Sequence, residues 1–487
     1  MFVALYTSRI ILDVLGETDY GIYSVVGGVV AVFTIISGSL STAASRFITF
    51  ELGTNNQERL KKVFSISVLI HLILALVIFI LAESIGVWFL NNKMTIPTER
   101  MFAANWVLQC SVFTFMLNII SIPYNAAIVA HERMKAFAYI GILDVLLKLI
   151  VAVILAYSPF DKLIFYAVAL MLVSAIIRLI YGVYCKRNFK ECSFHFVFDK
   201  QLIKEMTGFA GWNFIGASSA VLRDQGVDIA INIFYGPTLN AARAVSYQVN
   251  LAVTSLVTNF TTALNPQITK SYANQEYNYV FSLVKQGSRF SFYLLLILSL
   301  PVLMDAGYIL NLWLKEVPDH TVNFVRLILL FSLMESVSST LITVMLATGK
   351  IRNYQIVVGG LLLLNFPISY SLLKMGFTPE YTMVTAIILS FCCLLARLIM
   401  LNKMIGLSIL LYMKEVVLNV FLVFVLSAIL PAILVNIMNT GLPRFILVTL
   451  LCLLCSFVSV FFIGCSQKER IFIKAKIVQI KARFIKK

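Results

Sequence analysis

Histidine is scarce in this chain, four residues in 487. His320, beside Asp319, is the one histidine at an outward loop with an adjacent carboxylate, so acid–base chemistry has few candidates. The eight cysteines form no disulfide framework. Cys110, Cys392, Cys393, Cys452 and Cys455 fall inside apolar runs. The Cys452-x-x-Cys455 pair has no histidine or acid nearby, which argues against a redox or metal role. Charged residues make up only 13% of the chain, against 60% hydrophobic residues and a mean hydropathy of +0.91, values that exclude an ordinary soluble domain. A cleavable signal peptide is not visible either, because no basic region precedes the first apolar run and Arg9 and Asp13 interrupt it.

What the chain has instead is apolar runs of about 20 residues, each long enough to cross a hydrocarbon core of about 30 Å. Thirteen full spans centre near residues 20–45, 63–90, 102–130, 137–157, 163–184, 207–235, 240–266, 289–313, 323–347, 354–373, 380–402, 413–437 and 444–465, and residues 1–15 carry part of a first one. This predicts an all-α polytopic membrane protein of 14 spans. The net charge of +16 is unevenly spread. Of the 39 Lys and Arg, 25 fall in loops on one side and in the tail, and six on the other. That bias predicts both termini in the cytoplasm, and it accounts for the basicity without nucleic acid. The basic tail, with Ile473, Ile477, Ile480 and Phe484 on one helical face, is expected to lie on an anionic leaflet.

The chain also repeats itself. Gly16 and Gly236, Thr18 and Thr238, Val25 and Val245, and Val29 and Val249 pair at an offset of 220. Ala130-His-Glu-Arg lies over Ala347-Thr-Gly-Lys at 217, and Arg178-Leu-Ile over Arg397-Leu-Ile at 219. Units with an even number of helices point the same way, so this is a parallel repeat of two six-helix units. The expected division is an N-lobe at 1–184, a cytoplasmic linker at 185–206, a C-lobe at 207–402, two additional helices at 403–466 and a tail at 467–487. The offset places the start of the first helix about a dozen residues before Met1, so we expect native residues upstream.

The most informative polar features lie at membrane depth, where each ionised side chain costs about 2.5–3.5 kcal/mol on insertion scales. Residues 223–228 read Arg-Asp-Gln-Gly-Val-Asp in the middle of a span. At 1.5 Å per residue Arg223 lies about 20 Å from the outer end of its helix and Asp228 about 12 Å. Asp224, Asp228 and Asn232 share one face. The next span carries Arg243, Gln248 and Asn250, and the first carries Arg9 and Asp13 at i, i+4. Arg46, Arg223, Arg9 and Arg243 form a ladder from the cytoplasmic to the outer side. The spans hold seven Arg and one Lys, a preference that suits phosphate recognition, because guanidinium is weakly hydrated and forks onto phosphate oxygens. The competing reading is internal neutralisation: Arg9 with Asp13, Asp144 with Lys148, and Arg223 with Asp224 or Asp228. Arg178, Arg326 and Arg397 are expected to reach toward the polar edges. Asp13, Asp224, Asp228 and Glu335 are candidates for coupling to Na+ or a proton. No other cofactor is expected, and no metal site. Asp199 is expected to cap a short helix leading into the span at 207–235.

Several stretches resemble the Wzx-type oligosaccharide-lipid flippases of the multidrug/oligosaccharidyl-lipid/polysaccharide exporter superfamily. These include Leu5-Tyr-Thr-Ser-Arg9, Asp19-Tyr-Gly-Ile-Tyr-Ser-Val-Val-Gly-Gly28, Ala44-Ser-Arg-Phe47, Gly211-Trp-Asn213, Asn240-Ala-Ala-Arg-Ala244, Asn265-Pro-Gln-Ile-Thr-Lys270 and Thr348-Gly-Lys-Ile-Arg-Asn353. The resemblance implies a V-shaped bundle of two lobes plus two peripheral helices. It also implies a cationic cavity that moves an undecaprenyl-diphosphate-linked oligosaccharide across the bacterial inner membrane by alternating access, for O-antigen, capsule or exopolysaccharide synthesis. Arg9, Arg46 and Arg243 would serve that cavity, with a polysaccharide polymerase and other assembly proteins as partners beside the membrane lipids. A cation-coupled multidrug exporter of the same superfamily is the alternative. It calls for an acid-dominated cavity, whereas the eight basic residues of the spans oppose six acids: Asp13, Glu83, Asp144, Asp224, Asp228 and Glu335. A membrane polymerase or ligase would need a large outer loop, and the loops here run to roughly ten residues.

Overall fold

Backbone groups in hydrocarbon must satisfy one another, and an apolar run does so by closing i to i−4 hydrogen bonds. The computed structural model describes residues 7, 10, 11, 13–16, 18–23, 26, 34–92, 94, 96–314, 317–471 and 475. Arg9 and the apolar face of the tail lie outside them. Among the described residues thirteen long helices follow in order: α1 (Thr34–Gly53), α2 (Gln57–Asn92), α3 (Thr98–Ala130), α4 (Met134–Leu155), α5 (Lys162–Asn188), α6 (Lys200–Tyr235), α7 (Pro237–Ala273), α8 (Tyr277–Trp313), α9 (Thr321–Ala347), α10 (Arg352–Lys374), α11 (Tyr381–Ile405), α12 (Ile409–Ile437) and α13 (Leu442–Gly464). Ten of them are long and apolar enough to cross a membrane. Their apolar stripes face outward, as with Leu72, Ile73, Leu76, Val77 and Ile80 on α2 and Ile142, Leu146, Ile150 and Val153 on α4. Such stripes fit lipid as the surrounding medium.

Side-chain caps fix several helix starts. Asn56 accepts from the Arg59 N–H at 3.1 Å, and Asp161 accepts from Leu163 and Ile164, both at 3.1 Å. Asp199 accepts from the Leu202 N–H at 3.0 Å, but the short helix expected there is continuous with the span, so α6 runs unbroken for 36 residues. Pro123, Pro266 and Pro301 lie inside α3, α7 and α8. Four residues after Pro301, Asp305 leaves helical geometry (φ −123°, ψ 38°) and kinks α8.

The repeat is written into the backbone. α2 and α8 begin at 57 and 277, α4 and α10 at 134 and 352, and α5 and α11 at 162 and 381. Left-handed residues recur at the same offsets: Gly16 and Gly236, Asn55 and Gln275, Glu132 and Gly349. Packing recurs too. α3 lies against α2 and α5 as α9 lies against α8 and α11, and α5 against α4 as α11 against α10. The added helices α12 and α13 pack on each other and on α8.

By packing, the chain divides into two compact units, Met1–Ser218 with Thr269–Gln275, and Ser219–Ile268 with Glu276–Lys487. In the first, α3 is flanked by α1, α2 and α5. Gly53 lets α1 approach the Lys270 backbone so closely that an added Cβ would stand 2.9 Å from it. The second is held by small polar residues, the usual means of close packing in membranes. Ser288 and Thr340 share a hydrogen bond of 2.6 Å between α8 and α9. The fully buried Tyr412 donates to Ser288 and to the Val337 carbonyl, both at 2.7 Å.

Candidate functional site

In the second unit, α6 and α7 bring four of the expected site residues together. Arg223 donates from Nε and Nη2 to the two carboxylate oxygens of Asp224, at 2.8 and 2.9 Å, and its guanidinium lies 5.0 Å from the centre of the Phe331 ring. The fork closes between adjacent residues, not between helix turns. Arg243 is 2% exposed. Its Nη1 lies 3.0 Å from Asp228 Oδ1, and its Nη2 donates to the Tyr247 hydroxyl at 3.0 Å. The contact with Asp228 is close but poorly directed. Nε and Nη1 of Arg243 find no hydrogen-bond acceptor among the described residues. A buried guanidinium with two unused donors is costly as it stands and is suited to an added anionic acceptor. Gly226, inside the same charged run, lets α6 press on Phe366 of α10, where an added Cβ would stand 2.9 Å from the ring.

Glu335 of α9 accepts from the Ser390 hydroxyl of α11 at 2.5 Å and lies within electrostatic reach of Arg223 and Arg397. Arg397 corrects an expectation: it is 3% exposed rather than reaching for a polar edge, and its Nε and Nη1 also find no acceptor among the described residues. Arg178 instead covers the Tyr124 ring at 4.0 Å, and Arg326 donates to the Leu303 carbonyl at 3.1 Å. Ser332 donates to Asn250 Oδ1 at 2.7 Å and Thr343 to Asn265 Oδ1 at 2.7 Å, tying α7 to α9. Gln248 is exposed on α7. Within the second unit, the helices thus bring Arg223, Arg243 and Arg397 into one set with Asp224, Asp228 and Glu335.

In the first unit, Arg46 sits near the end of α1, with its guanidinium 4.6 Å from the ring centres of both Phe47 and Phe50 and 5.9 Å from Phe209. These rings attract the cation through their faces. Asp13 is helical and exposed. Arg9 lies outside the described residues.

Two groups of charged residues were not anticipated from the sequence. Asp305, a further acid inside a span, sits at the kink of α8 and accepts from Arg444 of α13, at 2.5 Å to Nη2 and 3.3 Å to Nε. A second pattern recurs where helices begin. Arg100, in the first turn of α3, pairs with Asp161, the cap of α5, at 2.6 Å, and also with Asp19. The equivalent positions in the second unit are His320 and Glu380, which pair at 2.6 Å, with Asn323 donating to the same carboxylate at 3.0 Å. His320 therefore takes Glu380 rather than the neighbouring Asp319. Burial pushes the Glu380 carboxyl up, but the hydrogen bonds from His320 and Asn323 outweigh it and hold the group down at about 2. Burial likewise pushes the Asp161 carboxyl up, but the hydrogen bond from Arg100 overcomes it and leaves the group below the ordinary carboxylate value. The pairing could have been found by laying residue 100 over 320 and residue 161 over 380 in the repeat.

Residues 2–272 match the polysaccharide biosynthesis protein family, more than half of the chain, and the protein belongs to that family. No curated protein matches it. Among solved structures, it resembles an outward-facing multidrug resistance MATE family transporter of the MOP superfamily (TM-score 0.70, 12% identity, covering 83% of this chain and 92% of the other). It also resembles a MOP superfamily transporter from Pyrococcus furiosus (0.68, 12%, 83% and 92%) and the MATE transporter ClbM in complex with Rb+ (0.67, 14%, 85% and 94%). These likenesses establish the fold: an all-α, multi-pass membrane protein of the MOP type.

Proposed function

We propose that this protein is a flippase that carries an undecaprenyl-diphosphate-linked oligosaccharide across the bacterial inner membrane by alternating access, with both termini in the cytoplasm. The observation that carries the reading is Arg243, nearly fully buried on α7 with Nε and Nη1 lacking a hydrogen-bond acceptor among the described residues. A diphosphate oxygen is an acceptor of the right charge and fork geometry. Family membership in polysaccharide biosynthesis supplies the saccharide. Arg46 of the first unit and Arg223 and Gln248 of the second, with Arg9, are the further residues proposed to meet the diphosphate. Asp13, Asp224, Asp228 and Glu335 are the acids on which Na+ or proton coupling would fall. A polysaccharide polymerase is the expected downstream partner.

In a lipid-linked oligosaccharide flipping assay, Arg46→Ala and Arg243→Ala should each insert normally and lose transport. A charge-assisted hydrogen bond is worth about 1.5–3 kcal/mol, so each loss should be roughly 10- to 100-fold. Full transport by both variants would defeat the assignment.

A further inference from the structure

Between α5 and α6 the chain passes through Ser193-Phe-His-Phe-Val-Phe-Asp199 without forming a helix. Phe194, Phe196 and Phe198 are 46%, 76% and 71% exposed. The three rings occupy alternate positions of one short non-helical stretch, and all are exposed. The segment is pinned on both flanks. Before it, Phe189 stacks on His131 with centroids 4.0 Å apart, and buried Glu191 pairs with the same histidine. After it, Asp199 caps α6. In the middle, the His195 N–H donates to Ser65 Oγ of α2 at 3.4 Å. Three phenyl rings are thus presented by an anchored backbone, which in water would be unfavourable for each of them.

Two further observations say what covers them. On α5 an exposed apolar stripe, Leu172, Ile176, Leu179 and Val183, runs to within a turn and a half of the helix end, so the rings continue a surface already suited to lipid. Flanking them in the chain are five exposed cations, Lys186, Arg187, Lys190, Lys200 and Lys204. Aromatic rings beside Lys and Arg are the composition of a membrane–water interface facing anionic headgroups.

We infer that residues 189–199 form an interfacial anchor. Phe194, Phe196 and Phe198 enter the boundary between headgroups and acyl chains, and the five cations bind the phosphates of anionic phospholipids. The anchor would fix the depth of the α5–α6 connection in the leaflet, whatever cargo the protein moves, so its test reads lipid contact and not flipping.

The test uses the full chain in vesicles of phosphatidylcholine with or without phosphatidylglycerol, with Phe196→Trp as reporter and the unsubstituted protein as the blank for its four native tryptophans. The added emission should be blue-shifted, and quenched more by acyl chains brominated near the headgroup than by chains brominated near the bilayer centre. Water-like, unquenched emission in both lipids overturns the anchor and assigns the surface to a protein partner. In the second arm, Lys186→Gln and Lys190→Gln should each lower the preference for phosphatidylglycerol over phosphatidylcholine at the reporter about five-fold, as expected for one surface cation. An unchanged preference overturns the anionic part of the assignment.

Discussion

Asp224→Asn is the most discriminating perturbation, because Asp224 occupies the fork of Arg223 that a diphosphate would use. Asp224 is 34% exposed at its side chain and Arg223 13%. The acid is therefore the more accessible partner and the one that an incoming anion would displace. To bind phosphate, Arg223 must give up two charge-assisted hydrogen bonds of 2.8 and 2.9 Å. Hydrogen bonds to charged groups are worth about 1.5–3 kcal/mol each, and partial solvation of the acid brings the pair to roughly 2 kcal/mol. Asparagine keeps the size, removes the charge and leaves at most one acceptor. If Arg223 serves the cargo, Asp224→Asn should tighten the binding of a short-chain prenyl diphosphate about 10- to 30-fold, measured as ligand-dependent thermal stabilisation of the purified protein. It should also slow release on the far side, so transport falls while affinity rises. If Arg223 is only a structural partner of Asp224, the variant should lose stability without gaining affinity. Unchanged or weaker diphosphate binding would refute the reasoning.

Other consequences are more direct. The buried Asp305–Arg444 pair holds the kink of α8 against α13, so Asp305→Asn should cost about 3–5 kcal/mol by stranding the arginine. Asp305→Leu with Arg444→Met should cost less than either single change in denaturation. At the start of α11, Glu380 titrates at about 2 in the folded protein instead of 4.5. Its stabilising contribution is complete above pH 4.5 and disappears as the pH falls through about 2. That difference is at most roughly 3 kcal/mol, and about 1 after solvent screening. His320→Ala should move the Glu380 midpoint, followed by its carboxylate infrared band, back toward 4.5. An unmoved midpoint would show that the hydrogen bond is not the cause.

The helices were legible because a span has to be apolar for about 20 residues and no other element satisfies its backbone in lipid. The repeat was legible for a different reason: turns need particular backbone conformations, so Gly16 and Gly236 were visible as partners before their left-handed geometry was known. Pairs far apart in sequence were not legible. Arg444 reads as a loop cation and Asp305 as an isolated acid, and only the packing of α13 on α8 joins them. Arg397 was misplaced because its distance from a helix end says how far its side chain could reach, not which way its helix faces. At the candidate site, the sequence left open whether Arg223 paired with Asp224 or Asp228. Side-chain geometry answers Asp224, and leaves Asp228 to Arg243.

The recurring Arg100–Asp161 and His320–Glu380 pairs make the two copies chemically unequal. One clasp, Arg100 with Asp161, joins a permanent cation to a carboxylate; its twin, His320 with Glu380, joins a titratable ring to one. A duplicated scaffold has thus kept the position of its fastening while changing what can undo it. A change in the charge of the ring would loosen the second copy by a route closed to the permanent guanidinium of the first, so two halves built on one plan need not respond to the same conditions.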